Sequence, residues 1–262
     1  MSTCAVGRVD FTVITLAQAG QWVVDAANAP AKFASEGRPG VAVHFCNAYN
    51  VALARDNASY AALLSHADAV FSDGVPITWV GKRAYPQVAP QWERVYGPDV
   101  MRLVFSKSTA DGPHHYLLGS TPETLAALER KLRIEYPQAS IVGVESPPFR
   151  QATPDELTQR DQRIADSGAT IVWVGLGTPR QDTEVQRLAA SLPVVSMAVG
   201  AAFDFLAGTK KQAPIWVQRS GLEWAFRLGS EPRRLGKRYL WGNSVFLLEA
   251  GRTLTSTRKR RY

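Results

Sequence analysis

The sequence has little cysteine and no long apolar run. Only two of its 262 residues are cysteines, Cys4 and Cys46, and no Cys-x-x-Cys pair or Cys/His cluster is present, so neither a disulfide framework nor a structural zinc site is predicted. No stretch reaches the roughly 18 apolar residues that a membrane-spanning helix needs. The N-terminal region also lacks a basic segment followed by an apolar one. We therefore expect a chain that stays in the cytoplasm.

Three familiar motifs for binding phosphate groups are also absent. There is no Asp-x-Asp pair, a common device for holding a divalent cation against a diphosphate, so no metal site is predicted. The Gly-Leu-Gly turn at 175–177 lacks the third glycine of a dinucleotide-binding motif, and no Walker A lysine accompanies it. The turn alone is equally consistent with a tight connection between a strand and a helix. Helix N-termini and arginines would have to meet the charge of any diphosphate.

Charge is distributed unequally along the chain. Residues 209–262 hold 13 Lys and Arg against three Glu, a net charge of +10, which leaves −3 for residues 1–208 out of the total of +7. Within this basic segment Arg234, Arg238 and Trp241 have the i, i+4, i+7 spacing of one helical face. Such a segment is typical of a solvated surface, a nucleic-acid contact or attachment to anionic lipid. Interleaved Trp and Tyr favour the lipid interface, and no nucleic-acid-binding motif is present.

Short apolar runs alternate with amphipathic stretches through the first 208 residues. Strands are predicted at 9–16, 41–46, 68–72, 115–119, 140–144, 170–177 and 194–200. Thr-Pro pairs at 121–122, 153–154 and 178–179 predict helix starts, and residues 86–99 are predicted to be a loop. The alternation predicts an α/β fold with an open, mostly parallel, Rossmann-like sheet and helices on both faces. We expect this domain to span residues 1–208, with a basic helical appendage at 209–262.

Ligands of open parallel sheets bind beyond the carboxyl ends of the strands, so the residues that follow each predicted strand are candidates for a site. These are Asn47, Asp73, Gly119, residues 177–181 and residues 200–204, which include Gly177, Gln181 and Asp204. Asp73 could act as general base toward a hydroxyl group, although Ser-Asp-Gly also fits an ordinary turn. Asp204 lies between two phenylalanines and needs hydrogen-bond donors, which a ribose or sugar hydroxyl could supply.

The sequence resembles the WecG/TagA/CpsF family, glycosyltransferase family 26, from about residue 9 to residue 239. The resemblance is carried by Asn47 and by SDGVPITW (72–79), ERVYGPDV (93–100), YLLGS (116–120), GLGTPRQD (175–182), GAAFDFLAG (200–208) and, between 213 and 239, APIW, GLEWAFRL and EPRRLGKRY. It implies an inverting, metal-independent transfer of a hexose or N-acetylhexosamine-type sugar, as by an N-acetylmannosaminyltransferase. The donor would be a UDP-sugar and the acceptor a polyprenyl-diphosphate-linked saccharide, in the synthesis of surface or exported polysaccharide.

The resemblance also implies roles for individual residues. Asp73 would be the general base, and the other substrate-binding residues would be Asn47, Gly177, Gln181 and Asp204 for the donor and Arg94, Arg227, Arg234 and Arg238 for the diphosphates. No cofactor is implied. The basic appendage would close the site and hold the protein peripherally on the inner face of the plasma membrane. Whether the chain forms a homo-oligomer is left open.

Three residues depart from the family pattern. Phe45 stands where many members have Thr, Gln212 where Arg is usual, and Asp182 where Glu is usual. The first two leave the donor sugar and one phosphate contact open. Two alternative functions remain at this point: a dinucleotide-binding oxidoreductase, suggested by the sheet and the glycine turn, and a non-enzymatic adaptor that binds lipid or nucleic acid through the basic tail.

Overall fold

The protein is built around a six-stranded parallel sheet. The structure, a computed structural model, describes residues 1–259, so residues 260–262 of the predicted appendage lie outside it. Its strands are β1 (Thr3–Val6), β2 (Val9–Thr12), β3 (Val41–Cys46), β4 (Ala69–Ser72), β5 (His114–Gly119), β6 (Ser140–Glu145), β7 (Ile171–Gly175) and β8 (Val195–Ala198). Strands β3 to β8 run parallel in the order β4-β3-β8-β7-β5-β6, and the predicted parallel α/β fold is confirmed.

Helices cover both faces of this sheet. They are α1 (Leu16–Asn28), α2 (Ala48–Asp56), α3 (Ala58–Ser65), α4 (Val75–Ala84), α5 (Gly97–Lys107), α6 (Pro122–Glu135), α7 (Pro154–Asp166), α8 (Arg180–Ser191), α9 (Ala202–Ala207), α10 (Ile215–Arg219), α11 (Glu223–Ser230) and α12 (Pro232–Lys259), with a 3₁₀ turn at Pro30–Lys32. Alternate side chains of β7 enter two different apolar clusters: Trp173 packs with α1, α5, α6 and α9, and Val174 packs with α7 and α8. Strands covered on both faces are apolar throughout, which explains the continuous apolar runs.

The N-terminal strand prediction is wrong in its pairing. Residues 9–16 were expected to join the parallel sheet, but only β2 is a strand there, and it pairs antiparallel with β1. Gly7, with φ +63°, lies in the two-residue turn between them. So short a connection permits only antiparallel pairing, because a parallel crossover needs a dozen or more residues. The hairpin is attached to the main sheet where the Val70 N–H donates to the Thr12 hydroxyl at 3.2 Å.

Two of the three predicted Thr-Pro helix starts are confirmed. Thr121 and Thr153 accept hydrogen bonds from backbone N–H groups of the first turns of α6 and α7. The third is wrong, since α8 begins at Arg180 and Pro179 itself is the residue that precedes the helix. The predicted loop at 86–99 ends earlier than expected, because α5 already begins at Gly97.

The appendage packs onto the body through the second half of α12. Phe246 and Ala250 are buried in an apolar cluster with residues of β1, β2 and α2. The Gly7 N–H donates to the Thr253 hydroxyl at 3.1 Å, which ties the hairpin turn to the same helix. None of the helices within residues 1–259 combines the length and apolarity needed to cross a bilayer. The domain boundary at residue 208 stays a prediction.

Candidate active site

A cavity of about 400 Å³ lies where the carboxyl ends of β3 and β4 meet the appendage. Asn47 directly follows β3 and Asp73 directly follows β4, and these two strands are paired neighbours in the sheet. Parallel strands end at the same edge, so the fold brings both side chains to one place. Arg94, from the segment before α5, and Arg227, from α11, line the same cavity.

Asp73 is held by backbone hydrogen bonds on both sides. Its N–H donates to the Cys46 carbonyl at 2.9 Å, which continues the pairing of β4 with β3. Its Oδ1 accepts from the Gly97 N–H at 3.1 Å, at the first residue of α5. The carboxylate therefore has a fixed orientation at a helix N-terminus, where the positive end of the helix dipole favours a negative charge.

The surroundings of Asp73 raise its pKa. Burial of the carboxyl is the largest cause, and the nearby negative charge of Glu223 acts in the same direction. Arg94, the Gly97 N–H and Arg227 oppose this shift without cancelling it. A carboxylate whose pKa is raised toward the working pH is a stronger proton acceptor than an ordinary aspartate, which suits a general base.

Asn47 is the N-cap residue of α2. Its Oδ1 accepts from the Tyr49 N–H at 3.0 Å, and its own N–H donates to Asn50 Oδ1 at 3.0 Å. This reciprocal capping fixes the direction of the side chain. Within residues 1–259 the Asn47 Nδ2 group donates no hydrogen bond, so it remains available to a ligand in the cavity.

Arg94 joins the loop of Asp73 to the appendage. Its Nε donates to the backbone carbonyl of Asp73 at 2.7 Å, and Nη1 donates to Gln218 Oε1 at 3.2 Å. Its Nη2 pairs with Glu223, whose other carboxylate oxygen accepts from the Tyr96 hydroxyl at 2.9 Å. Arg94 was expected to face a diphosphate, and Glu223 is the anion beside it here. Glu223 lies within the GLEWAFRL motif, but no sequence pattern indicated this contact.

Arg227 and Arg238, two arginines of the appendage that were predicted to bind diphosphate, have no carboxylate partner within the described part of the chain. Arg227 lines the cavity and lies over the Phe205 ring, 5.5 Å from its centroid. Arg238 stacks over the Tyr49 ring at 3.9 Å, and its buried Nε has no hydrogen-bond partner. Burial lowers the pKa of Arg238, as expected for a cation without a counter-charge. An unpaired, partly buried guanidinium is costly unless an anion binds it.

The predicted face of Arg234, Arg238 and Trp241 divides into two parts. Trp241 packs edge-on against Tyr49 at 5.9 Å, next to the stacked Arg238. Arg234 is exposed and pairs with Glu231, and it does not line the cavity. The structure therefore brings Arg238 and Trp241 to one aromatic side chain at the cavity wall, and leaves Arg234 outside.

Three residues predicted to bind the donor lie along the same sheet edge but outside the cavity lining. Gln181 is buried; its Oε1 accepts from the Gly177 N–H at 3.0 Å and its Nε2 donates to the Ala198 carbonyl at 3.2 Å. Asp204 pairs with Lys210 at 3.1 Å. Because β7 is three strands from β4, a spacing of about 4.8 Å per strand separates the glycine turn from Asp73 by about 14 Å.

A family model for the glycosyl transferases WecG, TagA and CpsF matches residues 4–260 of the chain. The chain belongs to the WecG/TagA/CpsF family. It is therefore a glycosyltransferase of polysaccharide biosynthesis, with a sugar-nucleotide donor and a lipid-linked acceptor. This membership argues against both the oxidoreductase and the non-enzymatic adaptor. The match extends through the basic appendage, so α10 to α12 are part of the family's common architecture.

In this WecG/TagA/CpsF protein Asp182 lies in a buried polar network. Asp182 Oδ1 is 3.0 Å from His44 Nδ1, and its Oδ2 accepts from the Tyr60 hydroxyl at 3.2 Å. The same hydroxyl accepts from Asn50 Nδ2 at 2.7 Å, and Asn50 in turn caps Asn47. Hydrogen bonds thus connect the first turn of α8 to Asn47. The sequence indicated only the substitution at 182.

The other two departures from the family pattern lie away from the cavity lining among residues 1–259. Phe45 is buried in the core, where its ring packs against Phe71 at 5.5 Å. Gln212 accepts a hydrogen bond from Arg102 Nη2 at 3.3 Å. Neither residue lines the cavity.

Proposed function

We propose that this protein transfers a hexose or N-acetylhexosamine-type sugar from a UDP-sugar to a polyprenyl-diphosphate-linked saccharide, with inversion at the anomeric carbon, and that Asp73 is the general base. The observation that carries the proposal is the cavity itself. It places a carboxylate of raised pKa beside Arg227, a cation without a carboxylate partner among residues 1–259.

In the proposed reaction the acceptor hydroxyl gives its proton to the Asp73 carboxylate. The hydroxyl oxygen forms a bond to the anomeric carbon while the bond from that carbon to the diphosphate oxygen breaks, and the electron pair of that bond leaves with UDP. A single displacement from the opposite face inverts the configuration. A base of raised pKa drives the proton transfer more strongly than an ordinary aspartate, and the Gly97 N–H holds the carboxylate in place.

The donor would lie along the carboxyl edge of the sheet, from Asp73 toward the glycine turn. The distance of about 14 Å between these points is suited to an extended nucleotide sugar. Asn47 Nδ2 would contact the sugar or its phosphate. Gly177, Gln181 and Asp204 would bind toward the nucleotide end, where Gln181 already fixes the turn through the Gly177 N–H.

The acceptor diphosphate would be bound by the arginines of the appendage. Arg227 and Arg238 support this role best, because each has a guanidinium without a carboxylate partner among residues 1–259. Arg94 would hold the Asp73 backbone in place through its hydrogen bond to the Asp73 carbonyl. Arg234, which lies outside the cavity and pairs with Glu231, would contact the diphosphate from the rim of the cavity. The basic appendage would also attach the protein peripherally to anionic lipid at the inner face of the plasma membrane.

A thermal-shift comparison tests the donor class. Because a ligand that binds only the native state raises the melting temperature, UDP and UDP-sugars should stabilise the protein. NAD and GDP at the same concentration serve as matched nucleotides and should have little effect. Stabilisation by NAD alone, or by neither UDP nor any UDP-sugar, would contradict the proposal.

A further inference from the structure

Most of the wall of the active-site cavity is apolar. Asp73, Arg94, Glu223 and Arg227 occupy one part of it, together with Asn47 and Gln218, whereas helices α4 and α12 with the turn before α11 supply most of the apolar part. This apolar part consists of Val75, Trp79, Val80, Leu222, Phe246 and Leu247. Trp79 and Leu247 are 56% and 68% exposed, so they form the mouth of the cavity.

A saccharide does not account for this wall. Each sugar hydroxyl removed from water needs a hydrogen-bond partner, and burying one against an apolar surface costs free energy. Among the side chains of α4 and α12 that line the cavity, only Trp79, Tyr239 and Asn243 carry a hydrogen-bonding group, and the others are apolar. The chemistry of the cavity is that of an amphiphile: a carboxylate and a guanidinium at one part, and aliphatic and aromatic side chains at the other.

We propose that the apolar part of this cavity binds the first isoprenoid units of the lipid-linked acceptor. The inference rests on the proposed function and extends it, since the enzyme then recognises the prenyl chain itself and does not only contact a membrane. The charges identify the occupant: the Arg227 guanidinium lines the same cavity as the apolar wall, and Arg238 stacks on Tyr49, another lining residue. Neither arginine has a carboxylate partner among residues 1–259. A prenyl diphosphate joins an anionic diphosphate to an apolar chain, so its two parts match the guanidiniums and the apolar wall of the cavity.

The test uses soluble acceptors that carry the same saccharide diphosphate on a methyl, geranyl or farnesyl group, without vesicles or detergent and below the concentration at which they aggregate. Burial of the prenyl carbons should lower the acceptor KM by roughly fivefold or more between methyl and geranyl, with kcat nearly unchanged. An equal KM for all three acceptors would overturn the prenyl site and leave the proposed function standing. If wild type glycosylates none of them, the proposed function fails, and the inference fails with it.

Two adjacent leucines of α12 provide a matched pair of variants. Leu247 lines the cavity, whereas Leu248 is similarly exposed, at 57%, and lies outside the lining. Leu247→Asn should abolish most of the preference for geranyl over methyl, and Leu248→Asn should retain it. The melting-temperature shift with UDP confirms that both variants are folded. An equal loss in both variants, or no loss in either, would show that Leu247 has no specific contact with the prenyl chain and would overturn the proposal.

Discussion

At the scale of single residues, the pKa of Asp73 depends on groups far apart in the sequence. Arg94 and Glu223 form an ion pair beside it, and the two charges act on the carboxyl in opposite directions. Glu223 belongs to the appendage, so docking of the appendage also sets the basicity of the proposed general base.

Glu223→Gln should lower the pKa of Asp73. Removing the negative charge withdraws an effect that raises this pKa, and it leaves Arg94 free to lower it further. Asp73 then loses its proton at lower pH, so the acid limb of the kcat/KM profile should move to lower pH. Glu231→Gln is the control, because Glu231 pairs with Arg234 and Lys210 away from Asp73. A limb that stays in place, or moves to higher pH, would contradict the assignment.

At the scale of helices and strands, the features that could be predicted from the sequence are those that a local residue pattern determines. Strands β3 to β8 are predominantly apolar runs, and Asn47 and Asp73 were found because each directly follows a strand. The β1–β2 pairing was missed because β1 has only four residues and its partner was assigned to the wrong sheet. Arg94 and Glu223 are 129 residues apart in the sequence, so no local pattern could predict their contact.

The buried network around Asp182 joins helices α2, α3 and α8. Burial raises the pKa of the Tyr60 hydroxyl, which therefore stays protonated and donates to Asp182. Tyr60→Phe leaves a buried carboxylate oxygen without this donor and should lower the free energy of unfolding by about 1–3 kcal/mol in urea denaturation. Tyr136→Phe, which removes a hydroxyl without a hydrogen bond among residues 1–259, should change it little. Equal effects would argue against the network.

At the scale of the whole molecule, the basic segment is distinct in charge from the rest of the chain but is not separate from it in packing. The excess of positive charge lies in residues 209–262, yet the second half of α12 packs into the core with β1, β2 and α2. Exposed apolar side chains, among them Trp216 and Leu240, accompany the basic residues. The appendage thus presents the basic and aromatic surface that is typical of proteins bound at a lipid interface, while remaining part of the folded body.

The charge asymmetry predicts binding to anionic membranes that depends on salt. The protein should co-sediment with vesicles that contain anionic phospholipid and much less with zwitterionic ones. Raising the salt from about 0.1 M to about 1 M shortens the Debye length from about 10 Å to about 3 Å and should release most of the protein. Equal binding to both kinds of vesicle, unaffected by salt, would contradict an electrostatic role for the appendage.

The most direct test of the account is the turnover of Asp73→Asn with a UDP-sugar and a lipid-linked acceptor. The amide keeps the shape of the side chain but cannot take a proton, so kcat should fall by about 10² to 10⁴-fold. The melting-temperature shift with UDP should match that of wild type, because the fold and the donor site stay intact. Near-normal turnover in this folded variant would contradict the assignment of Asp73 as the general base.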